Sequence, residues 1–371
     1  MSGIVVVIGE GADRYTFGRM MYALARRGDG PETLLRNGLL AGTQRSREPG
    51  RPESRQPWCS PDGELLICFD GELTDPGRLA VAPAGAGDAE VALAAFRRWG
   101  DAAVTRLRGE YALVIVQRAT RRAYLARDPM GVRPLYWSVH DTELHVASEV
   151  KALVPADVRI HEVPPGHHGW AAKGRPPELR AFFEAPELSL GRAPVTGPYT
   201  AATQLRAGLR DAVTGGLPAT GRVGVLLSGG IDSAAVLAAV RELAPDCVAF
   251  TAGTPDSPDV VGARRLADRL GVAHEVIELR PEDIGYDQVR EAVRTGELTE
   301  YGDIANAIVT LPLLRRVRER GIRVVFTGDG ADELFGGYPG YHGITPEKVR
   351  QLFRSKLANL GRADLHRLDR V

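Results

Sequence analysis

The second half of the chain alternates short apolar runs with apolar residues at helical spacing, a pattern that predicts βα units. The predicted strands are residues 223–227, 248–251, 275–278 and 322–326. The predicted helices are residues 201–214, 233–242, 260–270 and 311–320. This alternation predicts a doubly wound parallel sheet, whose ligands bind at the carboxyl ends of the strands.

The first half has a different pattern, in which short apolar strands are separated by turns. The predicted strands are residues 4–8, 65–69, 111–116 and 123–126, and residues 89–99 have the spacing of a helix. The turn sequence SPDG at residues 60–63 comes directly before the second strand. Around residues 171–198 the composition shifts to Pro, Gly and polar residues, which predicts a surface linker.

Length and composition restrict the number of domains and the kinds of binding partner. A chain of 371 residues predicts two domains, which we place at residues 1–185 and 201–371 with a linker at 186–200. Lys and Arg number 47, as do Asp and Glu, so no net charge favours nucleic acid or an acidic membrane surface. The three cysteines have neither CxxC spacing nor disulfide density, which favours a cytoplasmic location and no zinc site. No apolar run reaches the length of a membrane span.

Two glycine-rich turns carry the candidate chemistry, and each follows a predicted strand. The first, SGGIDS at residues 228–233, leaves backbone N–H groups uncovered at a helix start, where the helix dipole favours anions. It lacks the lysine of the loop GxxxxGK[ST]. The second, TGDGADELFGGY at residues 327–338, supplies carboxylates. Because magnesium prefers hard oxygen ligands, we expect this ion to bind Asp232 and Asp332 and to bridge them to phosphates.

This pair of motifs resembles the asparagine synthetase family. The resemblance implies a PP-loop domain that splits ATP between its α- and β-phosphates, activates a carboxylate as acyl-adenylate, and lets an amine displace AMP. It implies ATP and magnesium as cofactors, Asp232 and Asp332 as metal ligands, and Asp329 as the residue that handles the substrate amine or acyl group. The nucleotide-binding positions it implies are Leu226, Ser228, Gly229, Gly230, Ile231, Asp232, Ser233, Ala252, Thr327 and Gly328. Two alternatives stay open: SGGIDS as an ordinary strand-to-helix turn, and Asp332 as a helix N-cap.

The first half resembles the N-terminal domain of the same family, an Ntn-type αββα sandwich that hydrolyses glutamine. The similar segments are RLRGEYALVIVQRATRRAYLARDPMGVRPLYW, ASEVKAL and VPPGHHGW. The expected fold is therefore this α+β sandwich followed by a doubly wound α/β domain similar to the adenine nucleotide alpha hydrolases.

The residues of a glutaminase site depart from the family pattern. Active members begin MCGI, with the cysteine as nucleophile and its own α-amino group as base, whereas this chain begins MSGI with Ser2. Asp70 replaces the asparagine of the family's Asn-Gly-Glu, so we expect a carboxylate where an oxyanion develops; losing one oxyanion donor costs about 2.7–4 kcal/mol. Gln44 stands where an arginine holds the glutamine carboxylate, and Asp88 matches the residue for the glutamine amino group. We therefore expect no glutamine hydrolysis and interpret the domain as a retained scaffold.

The C-terminal end also differs from the family pattern. In the family, the segment similar to ALANLGRADLHRLDRV is followed by further helices with a lysine that stabilises charge on the acyl-adenylate. Lys348 and Lys356 lie before that point, and we expect both to be solvated helix residues. The synthetase domain is therefore expected to be incomplete. A partner polypeptide could supply the rest, the gene could be truncated, or the protein could bind nucleotide without finishing the reaction.

Two functions follow from these observations. The first is an ATP- and magnesium-dependent ligase that forms an amide from a small-molecule or peptide carboxylate, with ammonia or the substrate's own amine as donor. Acidic Asp329, where β-lactam synthetases carry tyrosine, favours an asparagine-synthetase-like domain. The alternative is a non-catalytic nucleotide-binding subunit of a split synthetase. A PP-loop tRNA-modifying enzyme lacks support, because the chain has no basic cluster and no paired-cysteine motif.

Overall fold

The chain divides into two compact units, Met1–Ala185 and Pro186–Asp369. The structure, a computed structural model, describes residues 2–45, 55–153, 159–183, 197–338, 343–345, 347–348 and 351–352. No helix among these residues is long and apolar enough to cross a membrane.

The first unit contains two antiparallel six-stranded sheets. Its strands are β1 (Gly3–Ile8), β2 (Gly30–Arg36), β3 (Leu39–Arg45), β4 (Trp58–Cys59), β5 (Leu65–Leu73), β6 (Gly109–Gln117), β7 (Arg122–Arg127), β8 (Tyr136–His140), β9 (Glu143–Ala147), β10 (His161–Glu162), β11 (His167–Ala171) and β12 (Glu178–Ala181). Its α-helices are α1 (Arg14–Ala23), α2 (Asp88–Trp99) and α3 (Val150–Leu153), and its 3₁₀ helices are Ala25–Arg27, Pro76–Leu79 and Gly100–Thr105. The strand orders are β10-β8-β9-β1-β3-β2 and β12-β11-β7-β6-β5-β4.

The side chains of each sheet alternate between two cores, as the pleat of a strand requires. Ile4 of β1 and Leu66 of β5 belong to the core between the two sheets. On the outer faces, Val5 packs in a cluster with Met20 of α1, and Ile67 packs in another with helix α2. Helices thus cover the outer face of each sheet, which confirms the expected αββα sandwich.

The second unit contains one parallel sheet. Its strands are β13 (Val223–Leu226), β14 (Val248–Gly253), β15 (Ala273–Glu278) and β16 (Val324–Phe326). Its helices are α4 (Pro198–Gly216), α5 (Ile231–Leu243), α6 (Pro258–Leu270), α7 (Tyr286–Gly296), α8 (Tyr301–Glu319) and α9 (Ala331–Phe335), and Pro281–Asp283 is a 3₁₀ helix. The strand order is β15-β14-β13-β16, and all neighbouring pairs are parallel.

Helices cover both faces of this sheet, which confirms the doubly wound arrangement. Val225 packs with Leu237 of α5 and Ala263 of α6 on one face, and Phe250 packs with Leu313 of α8 on the other. The chain steps from β13 to β15 in one direction and then returns to place β16 on the other side of β13. The order therefore reverses between β13 and β16, and both glycine-rich turns follow these two strands, at the switch point where such sheets bind ligands.

The structure corrects several predicted boundaries. Helix α8 begins at Tyr301, ten residues before its predicted start. Helix α7 was not predicted, although its apolar residues Tyr286, Val289, Ala292 and Val293 recur at helical spacing. Helix α4 begins inside the predicted linker because Pro198 takes the first helical turn, a position that suits proline. Strand β12 also lies in the predicted linker stretch, at the end of its sheet, where exposed polar residues are tolerated.

Candidate functional site

The turn after β13 is closed by two serine side chains. The backbone N–H of Ser228 donates to Oγ of Ser233 at 3.1 Å, and the two hydroxyl oxygens lie 3.0 Å apart. The N–H of Gly230 donates to Oγ of Ser228 at 3.2 Å. Ser233 is buried, whereas Ser228, Gly229 and Gly230 are exposed. The serines thus fix the shape of the turn from inside and leave its glycines at the surface.

The start of α5 is open to a ligand. Gly230 is the N-cap residue and makes no side-chain cap hydrogen bond. The first intrahelical bond is donated by Ala234 to the carbonyl of Gly230 at 3.2 Å, so the amides of residues 231–233 have no acceptor within the helix. Ile231 at this end is 82 % exposed. A 13-residue helix with uncapped first-turn amides suits a phosphate group.

Glycines bring three segments of the second unit into backbone contact. A Cβ on Gly328, in the second turn, would lie 2.7 Å from the backbone nitrogen of Ser233. A Cβ on Gly262, in α6, would lie 2.7 Å from the Cα of Gly229. Real Cβ atoms do not approach so closely, so the two motifs and helix α6 can meet only because these positions lack side chains. The sequence-predicted motifs therefore form one site.

Asp329 and Asp332, two acidic residues of the second turn, differ in exposure. Asp329 is exposed, and its N–H lies 3.4 Å from Oγ1 of Thr327. Asp332 is half-buried and is the second residue of α9, whose N-cap is Gly330 at φ 89°. The N-cap alternative for Asp332 is therefore wrong. A Cβ on Gly337 would lie 2.0 Å from Oδ1 of Asp332, so glycine at 337 makes room for this carboxylate.

Leu226 and Ala252 lie near the carboxyl ends of neighbouring strands. Both are half-buried and pack against the cluster that contains Phe250. Their position at the edge of the sheet that carries both turns agrees with a role beside the base or sugar of a nucleotide.

Thr251 contacts the start of the first turn and is not among the residues predicted from the sequence. Its hydroxyl donates to the carbonyl oxygen of Leu227 at 2.6 Å, immediately before the first turn, and lies 2.8 Å from Nε2 of His274. Because the hydroxyl proton goes to Leu227, Nε2–H of His274 must be the donor to Thr251. Partial burial lowers the pKa of His274, which favours this neutral imidazole. No sequence motif marks Thr251, because its partners lie on two other strands.

The carboxylates suit a magnesium ion that is shared with phosphates. Among the residues that the structure describes, no group of three or more His, Cys, Asp or Glu could hold a metal ion by itself. Magnesium often takes only one or two protein carboxylates and completes its shell with water and substrate phosphates. Asp232 and Asp332 lie on turns that meet through Gly328. This donor set fits a magnesium–nucleotide complex rather than a metal held by protein alone.

In the first unit, the position of the expected glutaminase site contains a buried ion pair. Asp70 is fully buried and Arg27 is 2 % exposed; Nη2 of Arg27 lies 2.9 Å from Oδ2 of Asp70. The backbone N–H of Ser2 donates to Oδ1 of Asp70 at 3.1 Å, and Nε of Arg27 donates to the Ser2 carbonyl at 2.6 Å. The sequence predicts a negative charge beside Ser2, and the structure shows that Arg27 neutralises it.

This ion pair belongs to a larger buried network. Nη1 of Arg27 lies 3.1 Å from Oε1 of Glu149, whose Oε2 lies 2.6 Å from Nζ of Lys151. The hydroxyl of Ser148 accepts from the N–H of Ile4 at 2.8 Å. Arg27 is separated from Asp70 by 43 residues and from Glu149 by 122, so no local pattern in the sequence could identify it as their partner.

The two remaining positions of the expected glutaminase site have structural contacts. Gln44 is buried, and its Nε2 donates to the carbonyl of Met21 at 3.0 Å. Asp88 begins α2, and its Oδ2 accepts from the N–H of Leu73 at 3.2 Å. Gln44 therefore ties helix α1 to β3, and Asp88 ties helix α2 to the end of β5.

Comparison with known proteins finds two family matches along the chain. The glutamine amidotransferase domain family matches residues 1–165, and the asparagine synthase family matches residues 204–369. Asparagine synthetase B (glutamine-hydrolysing) of Escherichia coli strain K12 is 30% identical over 298 residues, which cover 75% of this chain and 53% of that protein. The probable asparagine synthetase of Schizosaccharomyces pombe is 29% identical over 350 residues, covering 87% of this chain and 61% of that protein.

Among solved structures, the glutamine phosphoribosylpyrophosphate amidotransferase of B. subtilis, complexed with ADP and GMP, aligns with a TM-score of 0.43 and 17% identity. The alignment covers 87% of this chain and 71% of that one. The chain itself spans about half the length of the Escherichia coli relative.

Proposed function

Because this chain belongs to the asparagine synthetase family, we propose that it serves an ATP-dependent ligase that joins a carboxylate to an amine. One observation carries the proposal: Gly328 of the second turn lies against the backbone of Ser233 in the first. The amides of an anion-binding turn and the carboxylates of a metal-binding turn are thereby brought together at the switch point of the sheet. Bound ATP would supply the group that activates the carboxylate, and the overall products would be the amide, AMP and pyrophosphate.

In this proposal each segment of the site has a separate task. The amides of residues 228–233 hold the phosphate chain, and Asp232 and Asp332 hold magnesium against it. Leu226, Ala252, Thr327 and Gly328 contact the base and the sugar. Asp329 is exposed and has the position and charge to orient the incoming amine.

We propose that glutamine is not the nitrogen donor. This proposal is supported by the buried pair of Arg27 and Asp70 beside Ser2, where the family resemblance implies oxyanion stabilisation, and by the contact of Gln44 with the backbone of Met21. Neither group is available to a glutamine substrate. Ammonia or an amine of the substrate itself then supplies the nitrogen, and the acyl substrate is a small-molecule or peptide carboxylate.

We propose as a second candidate function a nucleotide-binding subunit of a split synthetase. The chain spans 53% of the Escherichia coli protein and 61% of the Schizosaccharomyces pombe protein. If this protein acts as a nucleotide-binding subunit of a split synthetase, a second polypeptide supplies the part that matches the remainder of the relatives. We place either function in the cytoplasm, since Cys59, Cys68 and Cys247 are all free thiols.

Calorimetric titration with ATP, with and without magnesium, tests the nucleotide site. We expect Asp232→Asn to weaken the magnesium-dependent binding about tenfold or more, because a charged metal ligand becomes neutral, and to leave metal-free binding nearly unchanged. Asp329→Asn is the matched control; it removes the same charge from the neighbouring turn and should change affinity little. Identical magnesium-dependent binding by the wild type and Asp232→Asn would overturn the site assignment.

Pyrophosphate exchange separates the two candidate functions. The wild-type chain is incubated with ATP, magnesium and a panel of carboxylates, and label from pyrophosphate is followed into ATP. Exchange that depends on one carboxylate supports the ligase. ATP binding without exchange for any carboxylate, with exchange restored by a second polypeptide, supports the subunit.

A further inference from the structure

A pocket of about 330 Å³ lies within the first unit, at the end of β5. One wall is the 3₁₀ helix Pro76–Leu79, and the other is formed by Trp99 and the segment that leads into β6, with Arg106 and Arg108. Its volume is near the lower limit for small-molecule sites. The pocket can therefore hold a compact metabolite but not a polymer.

The pocket is strongly cationic. Three arginines line it, namely Arg78, Arg106 and Arg108, and Asp75 is the single acid in its lining. Within the described part of the chain, none of the three guanidinium groups makes an ion pair, in contrast to Arg97, which pairs with Asp62. The lining charges sum to about +2, which matches a phosphate monoester, whose charge at pH 7 is about −1.5 to −2.

Both walls of the pocket are held in place. The guanidinium of Arg106 lies 4.8 Å from the ring centroid of Trp99, which orients its donor fork. The N–H of Thr74 donates to the carbonyl of Arg108 at 2.8 Å and joins the two walls. The 3₁₀ helix is flanked by Asp75 at φ 49° and Ala80 at φ 50°. Left-handed backbone at residues other than glycine is uncommon and concentrates at ligand clamps.

We propose that this pocket binds a small phosphate monoester. The planar guanidinium fork of arginine can donate two parallel hydrogen bonds to two oxygens of a phosphate, which the point charge of a lysine cannot. Pro76, Leu79 and the edge of Trp99 provide an apolar wall for the organic part of the ligand. Phosphate binding in this pocket would not require the nucleotide site of the second unit.

Titration of the full chain with phenyl phosphate tests the proposal, with phenyl sulfate as the singly charged control ligand. Saturable binding of phenyl phosphate is expected, and phenyl sulfate should bind several-fold more weakly because it carries one charge less. Arg106→Gln and Arg78→Gln should each weaken phenyl phosphate binding about tenfold, since each removes a charge-assisted contact. Asp75→Asn should strengthen it, because a like charge is removed and asparagine tolerates the left-handed backbone at 75.

Two matched variants locate the binding. Arg19→Gln removes one exposed arginine of α1 that lies outside the pocket, and it should leave affinity unchanged. Gly229→Val disturbs the turn after β13 and should also leave phenyl phosphate binding unchanged. Equal affinity for phenyl sulfate and phenyl phosphate, no change in Arg106→Gln, or loss of binding in Gly229→Val would each overturn the assignment.

Discussion

Single charged residues surround Ser2 at the position of the expected glutaminase site. Arg27 neutralises Asp70 and also contacts Glu149, and all three side chains are at least 98% buried. A buried ion pair adds little net stability over an apolar pair, but removing one partner leaves an uncompensated charge in a low-dielectric interior. The stability of the first unit is therefore expected to depend on Arg27.

Replacing Arg27 should destabilise the chain strongly. Arg27→Met is expected to lower the free energy of unfolding by about 3–5 kcal/mol, because Asp70 and Glu149 lose their shared cation. Asp70→Asn should cost less, about 1–2 kcal/mol, since Arg27 keeps Glu149 and the Ser2 carbonyl as acceptors. The midpoint of urea unfolding measures both changes.

An exposed ion pair provides the control for this comparison. Arg97 pairs with Asp62, and both side chains are about one-third exposed or more. Arg97→Met should change stability by less than about 1 kcal/mol. Equal losses of stability in Arg27→Met and Arg97→Met would show that the buried network contributes no more than an exposed ion pair.

Residues that act through a local motif could be predicted from the sequence, whereas residues that act through distant partners could not. Asp232 and Gly328 lie in recognisable turns, and the structure brings those turns together. Thr251 supports the first turn from the next strand, and Arg27 meets partners 43 and 122 residues away. Such contacts are created by the topology of the sheets, which single-residue patterns do not encode.

At the scale of elements, the first turn depends on how closely α6 approaches it. Gly229 lies against the carbonyl of Pro258 and against Gly262. A Cβ added to Gly262 would lie 2.7 Å from the Cα of Gly229. The neighbour of Gly262 is backbone, which cannot rotate away as a flexible side chain would. The backbone of the first turn is therefore held in place by its close contact with α6.

We expect Gly262→Ala to weaken magnesium–ATP binding although residue 262 lies outside the proposed binding set. The new methyl group must push α6 and the turn apart, at a cost of about 1–3 kcal/mol in stability. Gly208→Ala in α4 is the control, because nothing lies within 4 Å of its added Cβ. Alanine there should stabilise the helix by about 0.4–1 kcal/mol and leave ATP affinity unchanged. Calorimetry and urea unfolding measure the two effects; unaltered affinity in Gly262→Ala would contradict the role given to α6.

The elements that the sequence predicted best are those with apolar periodicity. Strands β13 and β14 and helices α5 and α6 lie within a few residues of their predicted limits. Helix α7 was missed although Tyr286, Val289, Ala292 and Val293 recur at helical spacing. Strand β12 is a different case, because it pairs with β11 through backbone hydrogen bonds that place few demands on side chains. Where the residues of an element need not be apolar, the hydrophobic pattern of the sequence does not reveal that element.

At the scale of the whole molecule, the two units differ in how closely their site residues follow the family pattern. The second keeps the glycines and carboxylates of a nucleotide site. The first keeps the αββα architecture, but its expected glutamine site contains an ion pair. The apolar cores of the first unit are built from residues other than Ser2, Asp70, Gln44 and Asp88, so this fold does not by itself require a particular chemistry at the expected glutamine site.

The full chain should therefore respond to ATP and not to glutamine. Magnesium–ATP at one hundred times its Kd should stabilise the protein by about 2.7 kcal/mol, seen as a raised Tm, whereas glutamine should leave Tm unchanged and release no glutamate. Ser2→Cys alone should not restore hydrolysis, because the Asp70 carboxylate, paired with Arg27, still lies beside residue 2. Ser2→Cys combined with Asp70→Asn should exceed either single change, since the amide can donate where the carboxylate cannot. Glutamate release by the unaltered chain would show that the first unit is a working amidotransferase, and glutamine would then return as the nitrogen donor of the ligase.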